Sequence, residues 1–229
     1  MSSTLKIDWA THESAKYAVE HWHYSKTLPV GKMARVGVWE DDRFVGVVIF
    51  AWGMNKDLGT PYGLKLGQCA EIVRVALARH QSAVSKILAI AIRFIKKQSS
   101  GLRLLVSFAD PSEGHHGGIY QANGWQYTGT SPQSFEWLLN GKRLNRRAYT
   151  GQQFGGGKSS VAEIPKRAIK RKVLGKHRYL MPLDKEMKKQ ILPLAKPYPK
   201  RASSDTRDTP SDQLGKAGAR PSDALHSND

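Results

Sequence analysis

The chain has 229 residues, of which 36 are Lys or Arg and 19 are Asp or Glu, so its formal net charge is +17. One cysteine excludes a scaffold held by internal disulfides, and 40% hydrophobic residues are enough for a packed core. No apolar run reaches the roughly 18–20 residues of a membrane helix, and the N-terminus lacks a signal-peptide pattern. The charge indicates a polyanionic partner, most simply nucleic acid, although ribosomal or membrane-surface binding would also fit it.

The positive charge is concentrated outside the most apolar part of the chain. Residues 1–150 hold 19 basic and 11 acidic residues, residues 151–201 hold 14 and 3, and residues 202–229 hold 3 and 5. The segment GQQFGGGKSS at 151–160 is typical of a flexible linker, and the last segment is too polar to form a core. We therefore predict a folded domain over 1–150, a linker and basic C-terminal appendix over 151–201, and a disordered tail over 202–229.

Hydrophobic periodicity predicts a mixed order of strands and helices. Along the chain, the predicted elements are a strand at 5–10, a helix at 11–22, strands at 35–40, 43–53 and 69–77, a helix at 82–98, a strand at 102–110, a short helix at 117–124, a strand at 125–129 and a hairpin at 135–149. The hairpin turns on Asn140-Gly141, the strongest local hairpin signal. Asp184 is placed to cap a further short helix, DKEMKKQIL. This order predicts an α+β fold with a central mixed sheet and flanking helices.

The order of elements and the segment IYQANGW (119–125) resemble the GNAT acyltransferase fold. The resemblance implies that Tyr120 takes the place of a tyrosine that gives a proton to a leaving thiolate. It also implies that acetyl-CoA or a related acyl-CoA would bind at the loop ARHQSAVSK (78–86), which has no glycine and so departs from the GNAT pattern. The cofactor-binding residues of that loop would be Arg79, Gln81, Ser82 and Ser85.

Two short segments, HWHYSK (21–26) and FADPSEGHHGGIYQANGW (108–125), concentrate groups that carry chemistry. Histidine, tyrosine and carboxylate side chains act as acids and bases or ligate iron. A plainer interpretation stays open, in which aromatic residues anchor one loop, Asp110 caps the other and the histidines are solvated. On the strand at 69–77 we expect Glu71 and Arg74 to form a structural ion pair, because a carboxylate inside a strand needs a partner.

Five segments together closely resemble the Mom proteins of Mu-like phages. They are HWHYSK, PYGL (61–64), EIVRVAL (71–77), LVSFADPSEGHHGGIYQANGWQYTG (105–129) and GKHRYLMPLD (175–184). The resemblance covers roughly residues 15–201. It implies a DNA-modifying enzyme of GNAT-like fold that converts adenine to its N6-carbamoylmethyl (acetamido) form and so protects phage DNA from host restriction.

The same resemblance implies which residues act and where. The catalytic residues fall on His23, Tyr24, Asp110 and Tyr120, and iron is associated with His23, Tyr24 and Asp110. The partner is double-stranded DNA in the cytoplasm of the infected host, with no membrane involved. Because N6 of adenine takes part in pairing, we expect the enzyme to flip the base or to reach an opened pair, and stacking on Trp22, Tyr24 or Trp125 would offset part of the cost of flipping. Separately from the resemblance, the density of basic residues in the C-terminal segment predicts that DNA is bound by Lys166, Arg167, Lys170, Arg171, Lys172, Lys176 and Arg178.

Two other functions stay open at this point. One is an ordinary GNAT N-acetyltransferase that acts on a protein or a small amine. The other is a basic nucleic-acid-binding protein without catalytic activity. The carbamoylmethyl product sets a chemical limit, since it joins nitrogen to a methylene carbon and a plain acetyl transfer does not form that bond.

Overall fold

The strands and helices follow the predicted order through residues 4–53, 55–144 and 163–200, which the computed structural model describes. The strands are β1 (Leu5–Trp9), β2 (Lys32–Glu40), β3 (Arg43–Trp52), β4 (Cys69–Leu77), β5 (Leu104–Ala109), β6 (Gln126–Thr130), β7 (Ser134–Leu139), β8 (Lys142–Arg143), β9 (Ile169–Val173) and β10 (His177–Pro182). The helices are α1 (His12–Trp22), α2 (Val84–Gln98), α3 (Gly118–Gln121) and α4 (Lys185–Ile191). The predicted α+β class is confirmed.

Local signals start two helices and turn the hairpin, at Asp184 and at Asn140-Gly141 as the sequence predicts. The Thr11 hydroxyl accepts the Ser14 N–H before α1, and the Asp184 carboxylate accepts the Met187 N–H before α4. Asn140 and Gly141 both have positive φ, as a two-residue hairpin turn requires. The predicted linker at 151–160 and the predicted tail at 202–229 lie outside the described residues.

Seven strands form one mixed sheet in the order β1-β2-β3-β4-β5-β10-β6. Its one parallel pair, β4 with β5, is joined by α2 and runs from Cys69↔Leu104 to Ile72↔Ser107. Beyond that point β4 continues to Leu77 without a partner residue on β5. The two strands therefore part in the middle of the sheet.

Both faces of the sheet are covered, because side chains of β3 alternate between them. Val48 and Phe50 belong to the cluster that packs on α2, whereas Val47 and Ile49 pack on α1. All four are completely buried, and each such side chain contributes about 1.5–3 kcal/mol relative to an exposed one. This double burial explains the unbroken apolar run of β3.

The described part of the basic segment belongs to this sheet. Strand β10 lies between β5 and β6, antiparallel to both, and its Tyr179 and Leu180 are completely buried. The segment predicted as an appendix to the fold thus supplies an internal strand, because its few apolar residues alternate with basic ones. Strand β9 instead pairs with β7, which with β8 forms a separate three-stranded sheet. The predicted boundary at residue 150 falls outside the described residues and stays a prediction.

Candidate active site

A cavity of about 640 Å³ opens where β4 and β5 part. Its walls come from the end of α1, from β4 past Ile72, from the end of β5 and from the loop that leads into α3. Its polar lining residues are His23, Tyr24, Arg74, His80, His115, His116 and Tyr120. The two segments that the sequence singles out, 21–26 and 108–125, therefore meet at one place although they are far apart in the chain.

His23 is a neutral hydrogen-bond donor on the cavity wall. Its Nδ1 lies 3.1 Å from the Ser25 backbone nitrogen and accepts that N–H, so the proton of the neutral ring is on Nε2. Burial, together with the nearby charge of Arg74, lowers the pKa of His23 to about 4. At neutral pH the ring is uncharged and presents Nε2–H as a donor.

Tyr24 joins the α1 end of the cavity to the loop before α3. Its ring centroid lies 4.3 Å from that of His23 and 5.4 Å from that of His115. Burial of the hydroxyl raises the pKa of Tyr24 above its ordinary value, so the group stays protonated at neutral pH. The residue as a whole is 49% exposed, although one side of its ring lies against His23. Trp125, in contrast, is completely buried. The predicted stacking of Trp125 on a flipped base is therefore wrong.

Asp110 directly follows the lining residue Ala109, and two contacts hold its carboxylate. Oδ2 lies 2.9 Å from Lys176 Nζ, and Oδ1 accepts the Ser112 N–H at 3.0 Å. Burial raises the pKa of Asp110, but Lys176 and the Ser112 N–H lower it more, so the net shift is downward. Asp110 is therefore an ionised carboxylate at neutral pH.

Tyr120 lies on α3 with its hydroxyl deep in the sheet. Its oxygen is 2.6 Å from Ser107 Oγ on β5, at the last residue of the parallel pairing. Burial raises the pKa of Tyr120 to about 12. The hydroxyl is thus a very weak acid held in one position.

Strand β10 and the residue before it support the cavity at two points that the sequence does not predict. Besides Lys176, Tyr179 donates its hydroxyl proton to the His116 carbonyl at 2.5 Å and so holds the loop before α3. Gly117 follows in a left-handed conformation, φ +84°, where a Cβ would collide with the Tyr179 ring. The motif GKHRYLMPLD marks this region in the sequence, but no local pattern shows which loop it contacts.

The predicted ion pair between Glu71 and Arg74 is absent from the contacts among the described residues. Arg74 instead donates from Nη1 to the Val73 carbonyl at 2.7 Å and from Nε and Nη2 to the Thr27 carbonyl. A β-bulge lies between the two residues, where Phe50 pairs with Ile72 and Ile49 with Arg74, and the hydrogen bonds of Arg74 go to backbone carbonyls instead of to Glu71. Burial raises the pKa of Glu71 to about 7, so a carboxyl group that ionises near neutral pH lies close to the cavity.

The loop predicted to bind coenzyme A is occupied by a side chain of this protein. The backbone N–H groups of Gln81 and Ser82 donate to the two carboxylate oxygens of Glu40, each at 2.7 Å. Glu40 is only 3% exposed. The Arg79 carbonyl accepts from Arg43, and Ser85 lies in the first turn of α2. Because the donors that would bind a diphosphate already bind a carboxylate, this loop does not fit the usual placement of coenzyme A.

Two of the three predicted iron ligands are already bonded to groups of the protein. The Nδ1 lone pair of His23 is used by the Ser25 N–H, and the carboxylate of Asp110 is bonded to the cation Lys176. Through the described ranges, no group of three or more His, Cys, Asp or Glu side chains is arranged to hold a metal ion. We assign no step to iron.

The seven predicted DNA-binding residues fall into two groups. Lys166, Arg167, Lys170 and Lys172 are exposed, and Lys170 also contacts the ring of Phe135. Three others have contacts within the fold: Arg171 pairs with Glu136, Lys176 with Asp110, and Arg178 Nε donates to Thr128 Oγ1 at 2.9 Å. The sequence cannot separate the groups, since all seven lie in one basic stretch.

Comparison with known proteins identifies the family. Residues 4–200 match the Mom protein family, and the chain belongs to it. Among its relatives is the methylcarbamoylase mom of Escherichia phage Mu, which is 23% identical over 207 residues, covering 87% of this chain and 85% of that protein.

The structure is also similar to solved acetyltransferases at low sequence identity. An N-acetyltransferase from Staphylococcus aureus Mu50 is 13% identical, with a TM-score of 0.44 over 79% of this chain and 98% of that chain. A polyamine N-acetyltransferase from Drosophila melanogaster is 8% identical, with a TM-score of 0.45 over 79% of this chain and 100% of that chain. No helix among the described residues is long and apolar enough to cross a membrane.

Proposed function

We propose that this protein modifies DNA by attaching a carbamoylmethyl group to N6 of adenine. One observation carries the proposal: His23, Tyr24 and Tyr120 line one cavity, and Asp110 lies beside it with its carboxylate held by Lys176. Membership in the Mom family and the similarity to a methylcarbamoylase support the reaction type.

The chemistry of the product defines what the site must do. The N6 lone pair of adenine is delocalised into the ring, so this nitrogen is a poor nucleophile. In the reaction, N6 forms a bond to the methylene carbon of the donor, the bond from that carbon to its leaving group breaks with its electron pair, and N6 loses a proton. The ionised carboxylate of Asp110 accepts that proton. His23 Nε2–H and the Tyr24 hydroxyl, both protonated at neutral pH, orient the base.

Access to N6 requires that the adenine leave the duplex, because this atom takes part in pairing. The half-exposed ring of Tyr24 offers a stacking surface at the cavity. The exposed side chains of Lys166, Arg167, Lys170 and Lys172 supply charge for the phosphates. Since N6 is presented in the major groove, a group attached there would block nucleases that read this groove. We place the activity in the host cytoplasm, where phage DNA meets restriction enzymes.

An ordinary N-acetyltransferase is less well supported, because Glu40 occupies the amides that would bind the diphosphate of acetyl-CoA. A binding protein without activity would leave adenine unchanged.

The test is nucleoside mass spectrometry of DNA from cells that express the full chain or a variant. We expect carbamoylmethyl adenine with the unaltered chain and with Glu113→Ala, a matched control that removes an exposed carboxylate three residues from Asp110. We expect none with Asp110→Ala. Equal modification by the Asp110 variant would contradict the site assignment.

A further inference from the structure

Strands β7 and β9 are paired along their length in the three-stranded sheet, where β8 pairs only with the last two residues of β7. We call the β7–β9 pair the ribbon, and its two faces differ in charge. The register pairs Phe135 with Lys172 and Trp137 with Lys170, so these four side chains share one face. We call this the lysine–aromatic face. Glu136 and Arg171, which are opposite each other in the same register, belong to the other face.

The lysine–aromatic face carries positive charge without a carboxylate among its residues. Glu136 is the one acidic residue in the ribbon, and it is buried on the other face in contact with Arg171. Lys170 and Lys172 are exposed. A face of this composition attracts a polyanion along its whole length.

Phe135 is an exposed aromatic ring at the centre of this charge. It is 53% exposed, and Lys170 Nζ lies 4.3 Å from its ring centroid. The ammonium group of Lys170 therefore lies against one face of the Phe135 ring. An exposed ring flanked by lysines matches the stacking platforms on which proteins bind unpaired bases, since each nucleotide brings a planar base and a phosphate together.

The ribbon begins at the candidate active site. Three residues after the end of β9, Lys176 bonds to Asp110. The Ser131 N–H donates to the Lys176 carbonyl and the Lys176 N–H donates to Ser131 Oγ, both at 2.9 Å, so the two ends of the ribbon are tied together there. Five or six residues of strand extend roughly 17–20 Å, and the major groove, about 12 Å wide, admits a two-stranded ribbon.

We propose that the lysine–aromatic face binds duplex DNA beside the cavity, with Lys170 and Lys172 on phosphates and Phe135 stacked on a base next to the extruded adenine. Extrusion leaves the neighbouring bases without a stacking partner, and an inserted apolar ring replaces it. This inference rests on the proposed function, because it takes adenine as the base that leaves the helix.

The stacking role is tested at Phe135 by fluorescence anisotropy, with the full chain and a labelled duplex that has a mismatched, easily extruded adenine at its centre. Phe135→Tyr keeps the ring and Phe135→Leu keeps apolar bulk without it. We expect Phe135→Tyr to bind within about twofold of the unaltered chain and Phe135→Leu to bind about tenfold more weakly, the range of one base–aromatic stack. Equal binding by Phe135→Leu would overturn the assignment.

The phosphate contacts are tested by the salt dependence of binding. The double variant Lys170→Gln, Lys172→Gln should lower the slope of log K against log salt by about 1.8, since each phosphate contact contributes about 0.9. Lys188→Gln is the matched control, because it removes an exposed lysine from α4. An unchanged slope in the double variant, or an equal change in the control, would overturn the contacts.

These experiments distinguish a wrong ribbon assignment from a wrong proposed function. If the unaltered chain leaves adenine unmodified in cells while Phe135→Leu weakens binding, the proposed function is wrong and the ribbon assignment stands. If adenine is modified while Phe135→Leu and the lysine variants bind normally, the ribbon assignment is wrong and the proposed function stands.

Discussion

Lys176 Nζ lies 2.9 Å from Asp110 Oδ2, and this contact joins the basic C-terminal segment to the carboxylate at the end of β5. Charge alone predicts that Lys176 binds DNA, whereas this contact places Lys176 beside the proposed active site. It also explains why the pKa of Asp110 is low although the group is largely buried.

Replacing Lys176 by Met should impair the reaction and move its pH dependence. Without the ammonium group, the pKa of Asp110 rises, so the acidic limb of the rate profile should move to higher pH. DNA modification by purified protein between pH 4 and 8 measures this, with Lys188→Met as the control for lost charge. A lower rate with an unmoved acidic limb would show that Lys176 does not act through Asp110.

The Glu71 carboxyl should make stability fall as pH rises. Its pKa in the folded chain is raised from 4.5 to about 7, so the folded state holds a proton that the unfolded state releases, and stability present below pH 4.5 is lost as pH rises through 7. Glu71→Gln removes this loss and should be more stable than the unaltered chain at pH 8, by on the order of 3 kcal/mol. Denaturant unfolding at pH 5 and pH 8 measures the difference. A Gln variant with the same pH dependence as the unaltered chain would contradict the prediction.

Glu40 should matter for folding rather than for binding a coenzyme. Glu40→Gln weakens the acceptor for two buried N–H groups and should cost about 1–3 kcal/mol of unfolding free energy. Glu20→Gln, at the surface near Lys16, should cost far less. Acetyl-CoA titrated calorimetrically into the unaltered chain should bind no more tightly than millimolar, and micromolar binding would show that the diphosphate has another route to this loop.

Two truncated chains should show that folding needs the internal strand β10 but not the residues after 200. A chain ending at residue 150 loses β10 from between β5 and β6, together with the buried side chains of Tyr179 and Leu180, so it should not fold. A chain ending at residue 200 keeps every described element and should melt cooperatively. Circular dichroism of both proteins is the measurement, and a folded product from the shorter chain would contradict the role of β10.

The sequence predicted most of the elements because their signals are local. Thr11, Asp184 and the Asn140-Gly141 turn act within a few residues, and the 3.6-residue period of α2 needs no tertiary information. The site was predicted in part, through the resemblance and the dense segment around Asp110. The features of the site that the sequence did not predict depend on long-range contacts. No local pattern shows that Lys176 bonds to Asp110 or that Glu40 accepts the N–H groups of Gln81 and Ser82.

The function rests on the identity of the bond made at adenine, which fragment mass spectrometry of nucleosides from plasmid DNA in expressing cells determines. We expect an adenine with a carbamoylmethyl group on N6, lost in Asp110→Ala and retained in Glu113→Ala. Acetylated adenine would indicate ordinary acyl transfer, and adenine without any added group would show that the chain does not modify DNA.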